Sequence, residues 1–176
     1  MARLIEKQVV YDGKKVRLEV HHLETDEGRR RKVEVIAHPG AVVVLPFLDA
    51  DTVVMIRNRR YAVGQTLLEL PAGTLEKGED PINCAGRELH EETGYLAGRL
   101  RSIGAFFSSP GIMTEKMYAY VAEDLEQRHA ALEEGEEIEV QLTPLADVLG
   151  MIGTGEIKDA KTIAAVLMYD RFRRNG

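Results

Sequence analysis

The sequence predicts an α/β (α+β) fold, with helices sandwiching a mixed β-sheet and an N-terminal antiparallel strand region ahead of it. Three observations predict this. The first 38 residues alternate apolar and polar positions across short turns. Ala41 to Phe47 is a near-continuous apolar run, as in a strand covered on both faces. Beyond residue 80, stretches of helical period interleave with further strand-like segments.

The elements follow in order. Leu4 to Tyr11, the turn Asp12-Gly13 and Lys15 to His22 form a hairpin signal, with Val16, Leu18 and Val20 alternating with polar residues. Lys32 to Ala37 is a third strand after the charged turn Asp26-Glu27-Gly28-Arg29. Residues 1–38 therefore read as a strand region of their own, and 39–176 as the main domain. There, Ala41 to Phe47, Thr52 to Ile56 and Gln65 to Leu70 read as strands, until Pro71-Ala72-Gly73 breaks the pattern.

Asp80 to Thr93 is the clearest helix. Asp80 suits the N-cap, Pro81 the first helical position and Gly94 the C-terminal stop. Leu100 to Phe107, Lys116 to Glu123 and Glu137 to Leu142 are expected as strands, and Leu145 to Ile152 and Ala160 to Phe172 as helices.

The bulk numbers exclude several classes. A 176-residue chain with 44 % hydrophobic and 30 % charged residues is ordinary for a globular domain. It holds no apolar run of about 18 residues, so no transmembrane helix is expected. The N-terminus lacks the apolar stretch of a secretory signal, and Cys84 is the sole cysteine. Both point to the cytoplasm. A net charge of −6 argues against nucleic acid as a partner. It also means that any phosphate ligand must be met by local arginines or bridging cations.

On the helix, Ile82, Ala85 and Leu89 share one face at about 100° per residue and are expected to be buried. Glu88, Glu91 and Glu92 fall on another arc. Like charges at that spacing repel, so three clustered carboxylates call for a partner. Hard divalent cations such as Mg²⁺ prefer such oxygen ligands. The bland alternative is a solvated acidic face.

The cluster does not stand alone. Gly73, five residues, Glu79, seven residues and then Arg87-Glu88-Leu89-His90-Glu91-Glu92-Thr93-Gly94-Tyr95 fill every defining position of the Nudix hydrolase signature. The chain resembles that family, and so a Nudix-like α/β/α sandwich. Arg57-Asn58-Arg59-Arg60-Tyr61, Leu68-Glu69-Leu70-Pro71-Ala72-Gly73 and the proline-marked loop Ser108 to Lys116 are similar to its ADP-ribose pyrophosphatase branch. Asn58 departs from the glutamine usual there.

The resemblance implies metal-dependent hydrolysis of the pyrophosphate bond of a nucleoside diphosphate conjugate, foremost ADP-ribose to AMP and ribose 5-phosphate. GDP-mannose and ADP-glucose are alternatives, as is a non-catalytic nucleotide-binding module. It implies Mg²⁺, with Mn²⁺ as a substitute. The metal ligands would be Glu88, Glu92, Glu91 and the carbonyl of Ala72. Arg87 would orient a metal-binding glutamate and can reach Glu91 one turn away. Glu79 would support the loop or the ligand set, Gly73 would allow a tight backbone path, and His90 falls at a variable position. Arg60 would contact the phosphates or the ribose side, Ser109 and Glu115 the terminal ribose, and Glu76 would belong to the metal or ribose edge of the site. A late loop would supply the general base from among Glu133, Glu134, Glu136, Glu137 and Glu139. Glu136 is preferred, then Glu139 and Glu134. Members of the branch are commonly homodimers joined through N-terminal strands, where Tyr11 could reach an adenine pocket.

Overall fold

The computed structural model describes residues 2–129 and 137–173. The chain divides into two compact units, Met1–Gly40 with Phe107–Lys116, and Ala41–Phe106 with Met117–Gly176.

The first unit is a three-stranded antiparallel sheet, β1 (Ala2–Asp12), β2 (Arg17–Thr25) and β3 (Arg30–Ala37), in that order. The hairpin register pairs Asp12 with Arg17, and Gly13 N–H closes the turn on Val16 O at 2.9 Å. All of β1 is exposed, including Leu4, Ile5, Val9, Val10 and Tyr11. Glu19 on β2 is buried and held by Arg17 and His21 at 2.9 and 2.8 Å. Beside the sheet, Ile36 bridges to Met113, and Thr114 N–H bonds Ile36 O.

The described residues of the second unit form two sheets. The mixed one has the order β7 (Ala72–Thr74), β4 (Ala41–Pro46), β9 (Lys116–Gln127) and β8 (Tyr95–Phe107). Every residue of β4 is buried, as a two-faced apolar run requires; β4 runs parallel to β9 and antiparallel to β7. Helix α1 (Pro81–Thr93) covers one face, packing Cys84, Ala85 and Leu89 on Val42, Val44 and Tyr120. On the other face Val43 and Leu45 share a core with Leu145 and Val148 of α2 (Leu145–Thr154) and Ala165 and Val166 of α3 (Ala160–Met168). The fold is thus the expected mixed α/β arrangement, with helices on both faces. Truncating a fully buried anchor such as Leu89 to alanine would cost about 2–5 kcal/mol.

The sequence reading did not separate out the second, antiparallel sheet, β10 (Ile138–Pro144), β5 (Thr52–Arg60) and β6 (Gln65–Glu69). Strand β5 runs four residues past Ile56, the end of its apolar stretch, because β10 and β6 pair with it on both sides. Three further details differ from expectation. Ala72–Thr74, read as a break, is a short strand; β8 begins directly after Gly94; and α3 ends at Met168 in a π-helical turn, Tyr169–Arg173. Ile82 is exposed and Cys84 takes the buried place expected for it.

Candidate active site

Helix α1 has fixed ends. The Asp80 carboxylate accepts Ile82 N–H at 3.1 Å, Pro81 opens the helix, and Gly94 takes the left-handed conformation (φ 74°) that lets its N–H reach His90 O. These caps hold Arg87, Glu88, Glu91 and Glu92 against β7 and the loop that follows it.

Arg87 organises the cluster. Its Nε and Nη2 grip Glu79 through both carboxylate oxygens at 3.0 Å. Its Nη1 donates to Glu88 at 2.8 Å and, as the one-turn spacing anticipates, to Glu91 at 2.9 Å. The arginine beside Glu79 holds that carboxyl down at about 2. The same cluster of acids raises Arg87, first through Glu79. Glu79 also accepts Glu76 N–H at 2.9 Å, which ties the turn through Lys77 and Gly78. Glu76 itself is exposed, and His90 is half-buried.

Gly73 is required for a reason other than the expected one. It is not among the residues with positive φ. A Cβ there would instead lie 1.8 Å from the Glu88 carboxyl carbon, so Glu88 occupies the space a side chain would fill. Glu92 is only 5 % exposed, which is rare for a charged side chain, and it accepts Ala72 N–H at 2.9 Å. Glu88 and Glu92 therefore both lie against the Ala72-Gly73 backbone. Glu79, Glu88, Glu91 and Glu92 thus gather four carboxylates around Arg87 and the Ala72 backbone. Cys84, buried behind this cluster, is pushed up to about 12 by desolvation.

Arg60, at the end of β5, grips Glu69 of β6 through Nε and Nη2 at 2.9 and 2.6 Å. Its pKa is raised, first by Glu69 and to a lesser degree by the nearby charge of Glu92. Arg60 is therefore within electrostatic reach of the carboxylate cluster. The register sets Glu139 opposite Arg57, on the other face of this sheet from Arg60 and Glu69. Glu137 accepts the Tyr61 hydroxyl at 2.8 Å. Glu133, Glu134 and Glu136 lie outside the described residues.

Ser109 and Glu115 belong to the first unit. Ser109 O accepts Ile112 and Met113 N–H in a tight turn, and Glu115 lies 3.5 Å from His38 Nε2. The sequence reading missed Glu69 as the partner of Arg60, and Asp159, Lys161 and Thr162 as the network linked to Glu69. One signal was available: Glu69 is a lone charge in an apolar stretch, Leu67-Leu68-Glu69-Leu70, and a buried carboxylate must be paired.

Residues 37–166 match the family model described as NUDIX domain, and the chain belongs to the Nudix family of pyrophosphate-cleaving hydrolases. It is 40 % identical over 166 residues to the ADP-ribose pyrophosphatase of Bacillus subtilis (strain 168), covering 93 % of this chain and 90 % of that one. It is 38 % identical over 152 residues to the GDP-mannose pyrophosphatase of Citrobacter koseri, covering 76 % and 78 %. The crystal structure of an ADP compounds hydrolase superposes with a TM-score of 0.87 at 24 % identity, over 99 % of this chain and 95 % of that one, and so shares its fold.

Proposed function

We propose that this protein hydrolyses the pyrophosphate bond of ADP-ribose, giving AMP and ribose 5-phosphate, with the help of a divalent cation. The similarity to the Bacillus ADP-ribose pyrophosphatase, 40 % over 93 % of the chain, is the observation that carries the substrate. The carboxylate cluster on α1 supports the chemistry.

The donor set fits a hard cation. It offers four carboxylates gathered around one arginine, partly removed from water. Among the described residues no three acidic, histidine or cysteine side chains already form a closed cage. Glu88 and Glu91 turn to Arg87, and Glu92 to Ala72 N–H. Glu88, Glu92 and Glu91 would hold the ion together with the Ala72 carbonyl. Mg²⁺, or Mn²⁺ in its place, would offset the diphosphate charge, polarise phosphorus and acidify the attacking water.

The protein's own groups do the rest. Arg87 orients Glu88 and Glu91 by direct hydrogen bonds. Arg60 meets the phosphates, for which a guanidinium fork is suited. Glu76 lies at the metal or ribose edge of the site. Glu136 takes the water proton, with Glu139 of β10 and then Glu134 as the alternatives. Substitution occurs at phosphorus with no covalent enzyme intermediate. The protein acts in the cytoplasm as a homodimer, and the exposed apolar residues along β1 support an association through the N-terminal sheet.

The similarity to a GDP-mannose pyrophosphatase favours a second reading, hydrolysis of a sugar nucleotide at the same site. The test is chromatographic. Purified protein is incubated with Mg²⁺ and separately with ADP-ribose, GDP-mannose, ADP-glucose and diadenosine polyphosphates, with a chelator control. Chelator-sensitive release of AMP from ADP-ribose, well above the other products, is expected. Preference for GDP-mannose would replace the substrate and keep the chemistry. No turnover of any conjugate by folded protein would leave a nucleotide-binding module.

A further inference from the structure

Glu69 is 0 % exposed, yet it carries a charge at the edge of the site. Two cations satisfy it. Arg60 grips both oxygens, and Lys161 Nζ reaches Oε2 at 2.5 Å. Lys161 also lies 3.0 Å from Asp159 Oδ1, and Asp159 caps α3 by accepting both the N–H and the hydroxyl of Thr162. The Thr162 hydroxyl in turn accepts Leu70 N–H at 2.8 Å, one residue beyond Glu69. The start of α3 is thereby fastened to the end of β6 at two successive residues.

This network has a direction. Lys161 is 17 % exposed and Glu69 fully enclosed, whereas Arg60 is 39 % exposed. Both bonds from Arg60 use its Nε–Nη2 edge. The opposite edge, Nη1 and the second Nη2 proton, is turned away from Glu69. The quartet of Glu69, Asp159, Arg60 and Lys161 sums to zero charge. Lys161 shares Glu69 with Arg60, so the arginine keeps more of its positive field than a one-to-one ion pair would leave it.

We propose that Glu69 and Lys161 are positioning residues, a buried brace anchored on the cap of α3 that aims the free edge of Arg60 at the diphosphate of the substrate. The proposal rests on the reading of Arg60 as a phosphate contact. Orientation and net charge make opposite predictions for Glu69→Gln. The substitution makes the quartet more positive by one, so an anion would bind more tightly if charge alone mattered. If the brace aims Arg60, binding weakens, because a neutral amide cannot accept both arms of the fork.

The experiment measures ADP-ribose binding by calorimetry in the presence of a chelator, and KM and kcat with Mg²⁺, each alongside Tm. Glu69→Gln and Lys161→Met should each weaken binding and raise KM by about tenfold while kcat changes by less than about threefold. Lys161→Arg should return KM towards wild type. In an Arg60→Met background, Glu69→Gln should add nothing further. Equal or tighter binding by Glu69→Gln would overturn the brace. If that variant does not fold, the Lys161→Met and Lys161→Arg pair decides: equal KM values for the two would overturn it. A wild-type protein that cleaves GDP-mannose and ignores ADP-ribose fails the substrate reading alone, and the same variants are then compared on GDP-mannose.

Discussion

Replacing Gly73 with alanine should disable the enzyme while leaving it folded. The added Cβ would lie 1.8 Å from the Glu88 carboxyl carbon and 1.9 and 2.1 Å from its two oxygens. Ordinary contact between such atoms is about 3.5–4.0 Å, so the carboxyl group must retreat by roughly 2 Å. It can do so, because it is the far end of a flexible side chain. The retreat breaks the 2.8 Å bond from Arg87, a loss of about 1.5–3 kcal/mol for a charged hydrogen bond. Alanine returns about 0.4–1 kcal/mol by restricting the unfolded chain, since Gly73 does not occupy the positive-φ region. The net destabilisation of about 0.5–2.6 kcal/mol lowers Tm by about 1–10 °C in a chain of this size. A displacement of 1 Å in a catalytic constellation can cost about 10²-fold in rate, and Glu88 moves further than that. Cation-dependent release of AMP from ADP-ribose, followed by chromatography on protein shown folded by circular dichroism, reads the effect. A folded Gly73→Ala protein retaining more than about a third of wild-type turnover would refute the claim that Glu88 must sit over Gly73.

Three other outcomes follow from the same geometry. Glu92→Gln should cut turnover by several kcal/mol of barrier, about 10²-fold or more, with Tm nearly unchanged, because the amide oxygen still accepts Ala72 N–H; near-normal rates would remove Glu92 from the ligand set. The Glu79–Arg87 pair should make stability sensitive to acid. Glu79 is lowered from 4.5 to about 2, so its contribution is complete above pH 4.5 and is lost as pH falls towards 2; denaturant midpoints should decline less steeply in that window for Glu79→Gln, and parallel curves would contradict the pairing. Glu136→Gln should slow turnover with calorimetric Mg²⁺ binding retained, and a neutral Glu136→Gln beside a crippled Glu139→Gln would move the general base into β10.

Much of this protein is written locally. Asp80, Pro81 and Gly94 bound a helix because capping and left-handed stops act over a few residues, and the structure bears out all three. The run Ala41 to Phe47 announces its burial on both faces because a covered strand has no polar side. The spacing from Gly73 to Glu92 carries the chemistry because one helix face and one adjoining loop bring those residues together. Tertiary contacts decided the rest. Ile82 and Cys84 differ in burial because the helix is rotated to fit Val42 and Val44. Gly73 is small because a glutamate from another element fills its space. Glu69 and Lys161 meet across 92 residues of sequence, and no periodicity or motif encodes that encounter. Short-range rules could state that a carboxylate buried at Glu69 must be paired; only the packed chain supplies the partners.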